Sequence, residues 1–176
     1  MTIPPLAFDK KSLRKIMREM VRGLEGDSAK ANDALHHWLL GQPMLKTIAV
    51  FSPLPGEVDL TNLTKSHPEQ NWVYPKVLGE ELTFHRGTNL LPGAFGILEP
   101  VEGTAEVPIK EIDAFICPGL AFDLSGGRLG RGRGFYDRML AGARKDALKI
   151  GVCFPEQIVP NTFPEAHDQK MDVVIS

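Results

Sequence analysis

Cysteine is nearly missing from this chain of 176 residues: only Cys117 and Cys153 occur, far apart and outside any Cys-x-x-Cys or Cys/His ligand spacing. That excludes a disulfide framework and a zinc site, and a reducing compartment fits. Charge of one sign is missing too, since 20 Lys and Arg face 22 Asp and Glu for a net of -2, with no acidic or basic tail. Such a balance gives no electrostatic case for a nucleic-acid or membrane partner, so any anion site has to be local. No stretch approaches the ~20 apolar residues of a membrane span. The opening residues Met1 to Leu6 lack the apolar core of a secretory signal, so a cytoplasmic location is expected. What remains, with 43% hydrophobic residues, suffices to bury a core in one domain spanning 1–176.

Leu13, Ile16, Met17, Met20, Val21 and Leu24 recur at spacings of three and four. The spacing predicts an amphipathic helix with Asp9 as its N-cap, Gly23 near its end, and Lys10, Lys11, Arg14, Lys15 and Arg18 on its polar face. A second helix is predicted over about 27–40, before Gly41 and Pro43, and a third over 59–65. Short apolar runs predict strands at 47–51, 72–74 (closed by Pro75), 82–84, 114–117, 150–154 and 172–176, with 90–108 loop-rich. Strands alternating with helices argue for an α/β layer structure around a mostly parallel sheet. His36-His37, an adjacent pair on a helix, face two directions and read as solvated or packed rather than metal-binding. Trp38 and Trp72 read as core.

The most informative stretch runs from Pro118 to Arg138. Glycines at 126, 127, 130, 132 and 134 lie between a predicted strand and a helix starting at Phe135. Without side chains there, backbone N–H groups can close on an anion, and Arg128, Arg131 and Arg133 add forked donors for phosphate oxygens. Neither the Gly-Lys-Ser/Thr ending of a Walker loop nor a completed Gly-x-Gly-x-x-Gly is present. An Arg/Gly loop that binds RNA, or nothing, is the alternative, but Tyr136 and Asp137 directly after it favour a phosphate site with a Mg2+-bridging carboxylate.

Pro118-Gly-Leu-Ala-Phe-Asp123 followed by Gly127-Arg-Leu-Gly-Arg-Gly-Arg-Gly-Phe-Tyr-Asp-Arg138 resembles the signature of the 5-formyltetrahydrofolate cyclo-ligases. Lys10-Lys-Ser-Leu-Arg14, Phe51 to Asp59, Tyr74-Pro-Lys76, Gly96-Ile-Leu-Glu-Pro100 and Glu165 to Asp172 follow in the family's order. Arg131, Arg133 and Phe135 stand where many relatives carry other residues. The resemblance implies a three-layer α/β fold of the NagB/RpiA/CoA-transferase-like type. It implies an ATP- and Mg2+-dependent enzyme acting on 5-formyltetrahydrofolate, as a monomer without nucleic-acid or membrane partners.

By the same resemblance, Lys10, Lys11 and Arg14 reach the nucleotide. Gly127, Arg128, Leu129, Gly130, Arg131, Gly132, Arg133, Gly134, Phe135 and Tyr136 wrap its phosphates, with Arg128, Arg131 and Arg133 as the catalytic cations. Asp137 and Asp168 hold the metal, and Ser52, Glu57, Tyr74 and Lys76 lie toward the folate. Rival readings are another phosphate-dependent enzyme on a related scaffold, a folate store, or an RNA module. The last is disfavoured because only Phe135 and Tyr136 are aromatic in that stretch.

Overall fold

The computed structural model describes residues 7–24, 26–87 and 89–176, so the opening segment Met1 to Leu6 lies outside the described residues. Helix α1 (Lys10–Arg22) opens on a capping box: the Asp9 carboxylate accepts from the Ser12 amide at 2.7 Å, and the Ser12 hydroxyl accepts from the Asp9 amide at 3.2 Å. These bonds satisfy donors that a helix start leaves unmatched. Helix α2 (Ser28–Leu40) is capped by Asp27 and stops at Gly41. The remaining elements are β1 (Thr47–Ala49), α3 (Thr61–Ser66), β2 (Asn71–Leu78), β3 (Glu81–Arg86), β4 (Leu90–Pro92), β5 (Leu98–Pro100), β6 (Glu106–Val107), β7 (Ala114–Cys117), β8 (Ala121–Phe122), β9 (Arg128–Leu129), α4 (Phe135–Ala141), β10 (Leu148–Val152) and β11 (Val173–Ile175). Among the described residues, no helix is long and apolar enough to cross a membrane.

The main sheet has the order β11-β10-β7-β1-β2-β3-β6. Its first five strands are parallel, and β3 and β6 each run antiparallel to the preceding neighbour. Alternation along the strands splits the core. Ile48, Ile116 and Ile150 pack with Leu35 and Leu39 of α2 and Leu63 of α3, whereas Ala49, Phe115 and Cys117 pack with Met139 and Leu140 of α4. Helices therefore cover both faces, which is the mostly parallel three-layer arrangement expected. A third apolar cluster seats Leu13, Met17 and Val21 of α1 on Leu120, Ala121 and Leu129 around the β8–β9 hairpin.

Three expectations need correction. Strand β2 does not close at Pro75 but continues to Leu78. The Val73 carbonyl accepts from Val50, so Val73, Pro75 and Val77 turn their backbone toward the β1 edge, and β1 has ended before Pro75 needs a donor. The 90–108 segment is not all loop: β4 and β5 pair antiparallel there and β6 joins the main sheet. Its prolines and glycines read as loop, yet tertiary anchors hold it, including the Ser52 hydroxyl donating to the Leu98 carbonyl at 2.5 Å. Finally, β1 stops at Ala49 and β10 at Val152, because beyond them the chain turns out of the sheet.

The first two glycines of the cluster turn out to be structural. Asp123 accepts from the Ser125 and Gly127 amides, the Ser125 hydroxyl, and both the amide and hydroxyl of Thr162, at 2.6–3.0 Å. Gly126 has φ +90, and a Cβ there would lie 2.4 Å from the Met171 carbonyl oxygen. A Cβ on Gly127 would strike Thr162 Oγ1 at 2.1 Å. We expect Gly126→Ala to cost about 2–3 kcal/mol, read as a lowered thermal midpoint with kcat near wild type.

Burial works to raise the Asp123 carboxyl, but the hydrogen bonds from Ser125, Thr162 and Gly127 outweigh it and hold the group well below its ordinary 3.8. A depressed folded value stabilises the fold above the unfolded value, and that contribution is lost as pH falls. Asp123→Asn should therefore destabilise by about 3 kcal/mol at neutral pH. Its deficit against wild type should shrink on thermal scans below about pH 4.

Candidate active site

A cavity of about 270 Å³ opens where the chain leaves the C-terminal ends of β1 and β7, lined there by Phe51, Ser52, Pro118 and Gly119. Open parallel sheets place ligands at this edge, because the loops after the strands diverge there. One wall is apolar, built from Phe51, Leu54, Pro75, Val77, Leu82, Phe95, Ile97 and Phe135. The other is polar, with Lys10, Arg14, Arg128, Gly130 to Gly134, Asp137, His167 and Asp168. Glu57 and Glu99 also line it.

Most of the expected site residues thus meet in one place: Lys10, Arg14, Ser52, Glu57, Arg128, Gly130, Arg131, Gly132, Arg133, Gly134, Phe135, Tyr136, Asp137 and Asp168. Lys11, Gly127, Leu129, Tyr74 and Lys76 do not line this cavity. Lys11 lines a neighbouring groove with Phe8 and Phe163, which Lys10 and Arg14 border as well. Gly127 belongs to the Asp123 hairpin, and Leu129 is buried against α1. Tyr74 packs with the α2–α3 cluster, because alternation along β2 gives the cavity Pro75 and Val77 instead.

The basic face of α1 meets this loop directly. Lys10, Arg14 and Arg18 recur every four residues and so form a stripe. Arg14 Nε donates to the Gly130 carbonyl at 3.2 Å, and Arg18 to the Arg131 carbonyl at 2.6 Å. From the other side Arg138 donates to the Arg133 carbonyl at 2.9 Å, and its own amide donates to the Gly134 carbonyl at 3.0 Å. No backbone amide from 130 to 134 has an acceptor among the described residues. Gly132 adopts φ +102 in this run, a conformation L side chains rarely take, with only the distal atoms of Arg14 and Arg18 nearby.

The three arginines, expected to act alike on phosphate, occupy different settings. Arg128 is buried at 6% exposure, donates to the Pro118 carbonyl, pairs with Asp137 at 3.2 Å and lies over the Tyr136 ring; its Nε has no partner. Arg131 binds Glu57 Oε1 at 2.9 Å. Arg133 lies 4.0 Å from the centroid of the Phe95 ring, a cation–π contact at the mouth. Burial keeps the Tyr136 phenol far above its ordinary value, so it stays a neutral O–H group.

Asp137 is engaged at both oxygens, by Arg128 and by the Gln169 amide at 3.1 Å. It does not share a metal-sized donor group with Asp168. Glu165, His167 and Asp168 instead bring one donor each within 4.8 Å of one another. Lys10 Nζ sits against Glu165 at 3.0 Å and against Asp168, so a cation already occupies that position. Two carboxylates suit Mg2+, which takes oxygen ligands and keeps several of its waters.

Sequence reasoning assigned no role to Glu99, Glu165, His167 or Phe95. Glu99 lay in the Gly96–Pro100 segment of the family resemblance, and Glu165 and His167 in the Glu165–Asp172 segment, with no role attached to any of the three. Phe95 carried no signal at all: it reaches the cavity through a left-handed backbone, φ 57, that its residue type does not announce.

Burial raises the Glu57 carboxyl above its ordinary 4.5, against the opposing pull of the Leu54 amide and Arg131. A raised acid binds its proton more tightly in the folded state, so wild type loses stability as pH rises through and above 4.5. Glu57→Gln removes that dependence. Its thermal midpoint relative to wild type should climb between pH 4.5 and 7.5, and a flat difference would count against the buried charge.

The sequence pattern of the 5-formyltetrahydrofolate cyclo-ligase family matches residues 7–176. A 5-formyltetrahydrofolate cyclo-ligase of Mycoplasma genitalium is 28% identical over 175 residues, covering 95% of this chain and 97% of that protein. The Haemophilus influenzae protein of the same name is 34% identical over 166 residues and 88% of each chain. Among solved structures, the Aquifex aeolicus 5,10-methenyltetrahydrofolate synthetase superposes with a TM-score of 0.78 at 35% identity, covering 94% of this chain and 88% of that one. The Mycoplasma pneumoniae synthetase does so with 0.78 at 27% identity, covering 96% and 98%. With the loop, the basic helix and the cavity in one place, this match over nearly the whole length means that the chain is an enzyme belonging to the 5-formyltetrahydrofolate cyclo-ligase family.

Proposed function

We propose that the cavity converts 5-formyltetrahydrofolate to 5,10-methenyltetrahydrofolate with ATP, releasing ADP and phosphate, and that the protein does so as a single-domain cytoplasmic monomer. The observation that carries this reading is the state of the 130–134 backbone. Four of its carbonyls are held by Arg14, Arg18 and Arg138, while its amides have no acceptor among the described residues. Amides arranged in this way suit an anion.

ATP supplies the phosphoryl group that makes the formyl oxygen a leaving group, after which N10 attacks the formyl carbon, phosphate departs and the N10 proton is lost. In this reading the amides of 130–134 with Arg131 and Arg133 surround the transferred phosphoryl, and Lys10 and Arg14 hold the outer phosphates. Such transfers need in-line positioning and positive charge rather than covalent chemistry from the protein. Asp168 and Glu165 would hold a Mg2+ ion, which would supply positive charge to the phosphates. Asp137 fixes Arg128 instead of binding the metal directly, as its two engaged oxygens suggest. The apolar wall takes the pterin, Ser52 borders it, and Glu57 accepts from its ring N–H donors once phosphate draws Arg131 away.

Mixing protein, 5-formyltetrahydrofolate, ATP and Mg2+ should produce the methenyl chromophore and ADP in equal amounts. Chromophore without ADP, or neither product, would sink the reading. Arg133→Ala should lower kcat/KM for ATP by roughly 10–100-fold, consistent with the loss of a charge-assisted phosphate contact, while folate affinity stays near wild type.

A further inference from the structure

Four carboxylates line the cavity, and three of them face a cation. Glu57 meets Arg131 at 2.9 Å, Asp137 meets Arg128 at 3.2 Å, and Asp168 meets Lys10. Glu99 has no cation among the described residues, although it is only 8% exposed. Its Oε1 accepts from the Val77 amide at 3.0 Å, and no donor among the described residues reaches Oε2. Removing a carboxylate from water without a countercharge is costly, so proteins rarely leave one in that state unless something else completes it.

The fold nonetheless builds a place for it. The Val77 amide fixes one oxygen, and the Ser52 hydroxyl anchors strand β5 through the adjacent Leu98 carbonyl at 2.5 Å. Gly93 leaves the space that the other oxygen fills, since a Cβ there would fall 2.3 Å from Oε2. Pro75, Val77 and Ile97 of the same wall are apolar and offer neither a cation nor the further oxygen donors that a divalent ion requires. A ligand N–H entering the cavity would complete Oε2, and a flat ring suits the apolar residues that line it.

Resting on the folate reading above, we propose that the Glu99 carboxylate accepts the aminopyrimidine edge of the bound folate, its 2-amino group and N3–H. Glu99 is then a specificity-determining residue for this ring. Two parallel N–H···O bonds to one carboxylate match that edge in the way a guanidinium matches an acid. Glu57, paired with Arg131 of the glycine loop, is then left the remaining ring donor, N8–H.

Calorimetry without ATP tests this with 5-formyltetrahydrofolate and its 2-desamino analogue, on wild type and on Glu99→Gln. Wild type should prefer the parent folate by roughly 10–100-fold, the scale of a buried charge-assisted hydrogen bond. Glu99→Gln keeps an acceptor for the Val77 amide and should lose the preference to within about threefold. Its ATP affinity should be unchanged, and its unliganded thermal midpoint equal to wild type or higher. A preference that persists in the variant, or a fallen midpoint with the preference intact, assigns Glu99 a merely structural role and overturns the proposal. Should the variant not fold, wild type decides alone: equal affinity for the two folates overturns the proposal. Failure of wild type to take up 5-formyltetrahydrofolate at all overturns the functional reading itself, whereas tight uptake of both folates overturns only the role of Glu99.

Discussion

Arg14 and Arg18 grip the carbonyls of Gly130 and Arg131, and the polar half of the cavity depends on that grip. A glycine-rich segment loses more backbone freedom on ordering than any other, so left alone it would sample many conformations. The α1 arginines and Arg138 oppose this by taking the loop's carbonyls, and one consequence is that its amides are left for something else. The grip in turn relies on the seating of α1, whose Leu13, Met17 and Val21 are buried against the β8–β9 hairpin. The shape of this loop is thus coupled to the packing of a helix more than a hundred residues away in sequence.

The hairpin beneath is stiffened by Asp123, whose hydrogen bonds close the turn that Gly126 and Gly127 make sterically feasible. The glycine cluster therefore divides by task. Its first pair permits close packing around a buried carboxylate, and the later three face the cavity. A Gly/Arg composition alone cannot separate these tasks, because both require a missing side chain and only the surroundings tell which atoms fill the space.

Charge in the cavity is balanced in pairs before any ligand is considered: Arg131 with Glu57, Arg128 with Asp137, Lys10 with Asp168. Pairing keeps the desolvation cost of each group tolerable in the unliganded protein. It also means that a phosphate arriving at Arg131 competes with Glu57 for the same guanidinium. Glu99 stands outside this balance, with the apolar Pro75, Val77 and Ile97 lining the same cavity.

Much of this was legible from residues in order. Helix α1 and its cap followed from Asp9 and the apolar spacing, with Ser12 completing the cap only in the structure, and the stripe Lys10, Arg14, Arg18 followed from a period near 3.6. The alternation of short apolar runs with helices indicated the parallel sheet, and the Gly/Arg segment pointed to a loop that lines the cavity. These are local properties, set by backbone preference and by which side of an element a residue occupies. What only the tertiary structure decided is who meets whom: Arg131 with Glu57 across 74 residues, Lys10 with Asp168 across 158, and Pro75 inside a strand whose neighbour has ended. Spacing determines the face from which a side chain projects, but the partner on that face is chosen by the packing of the layers, and no local rule carries that information.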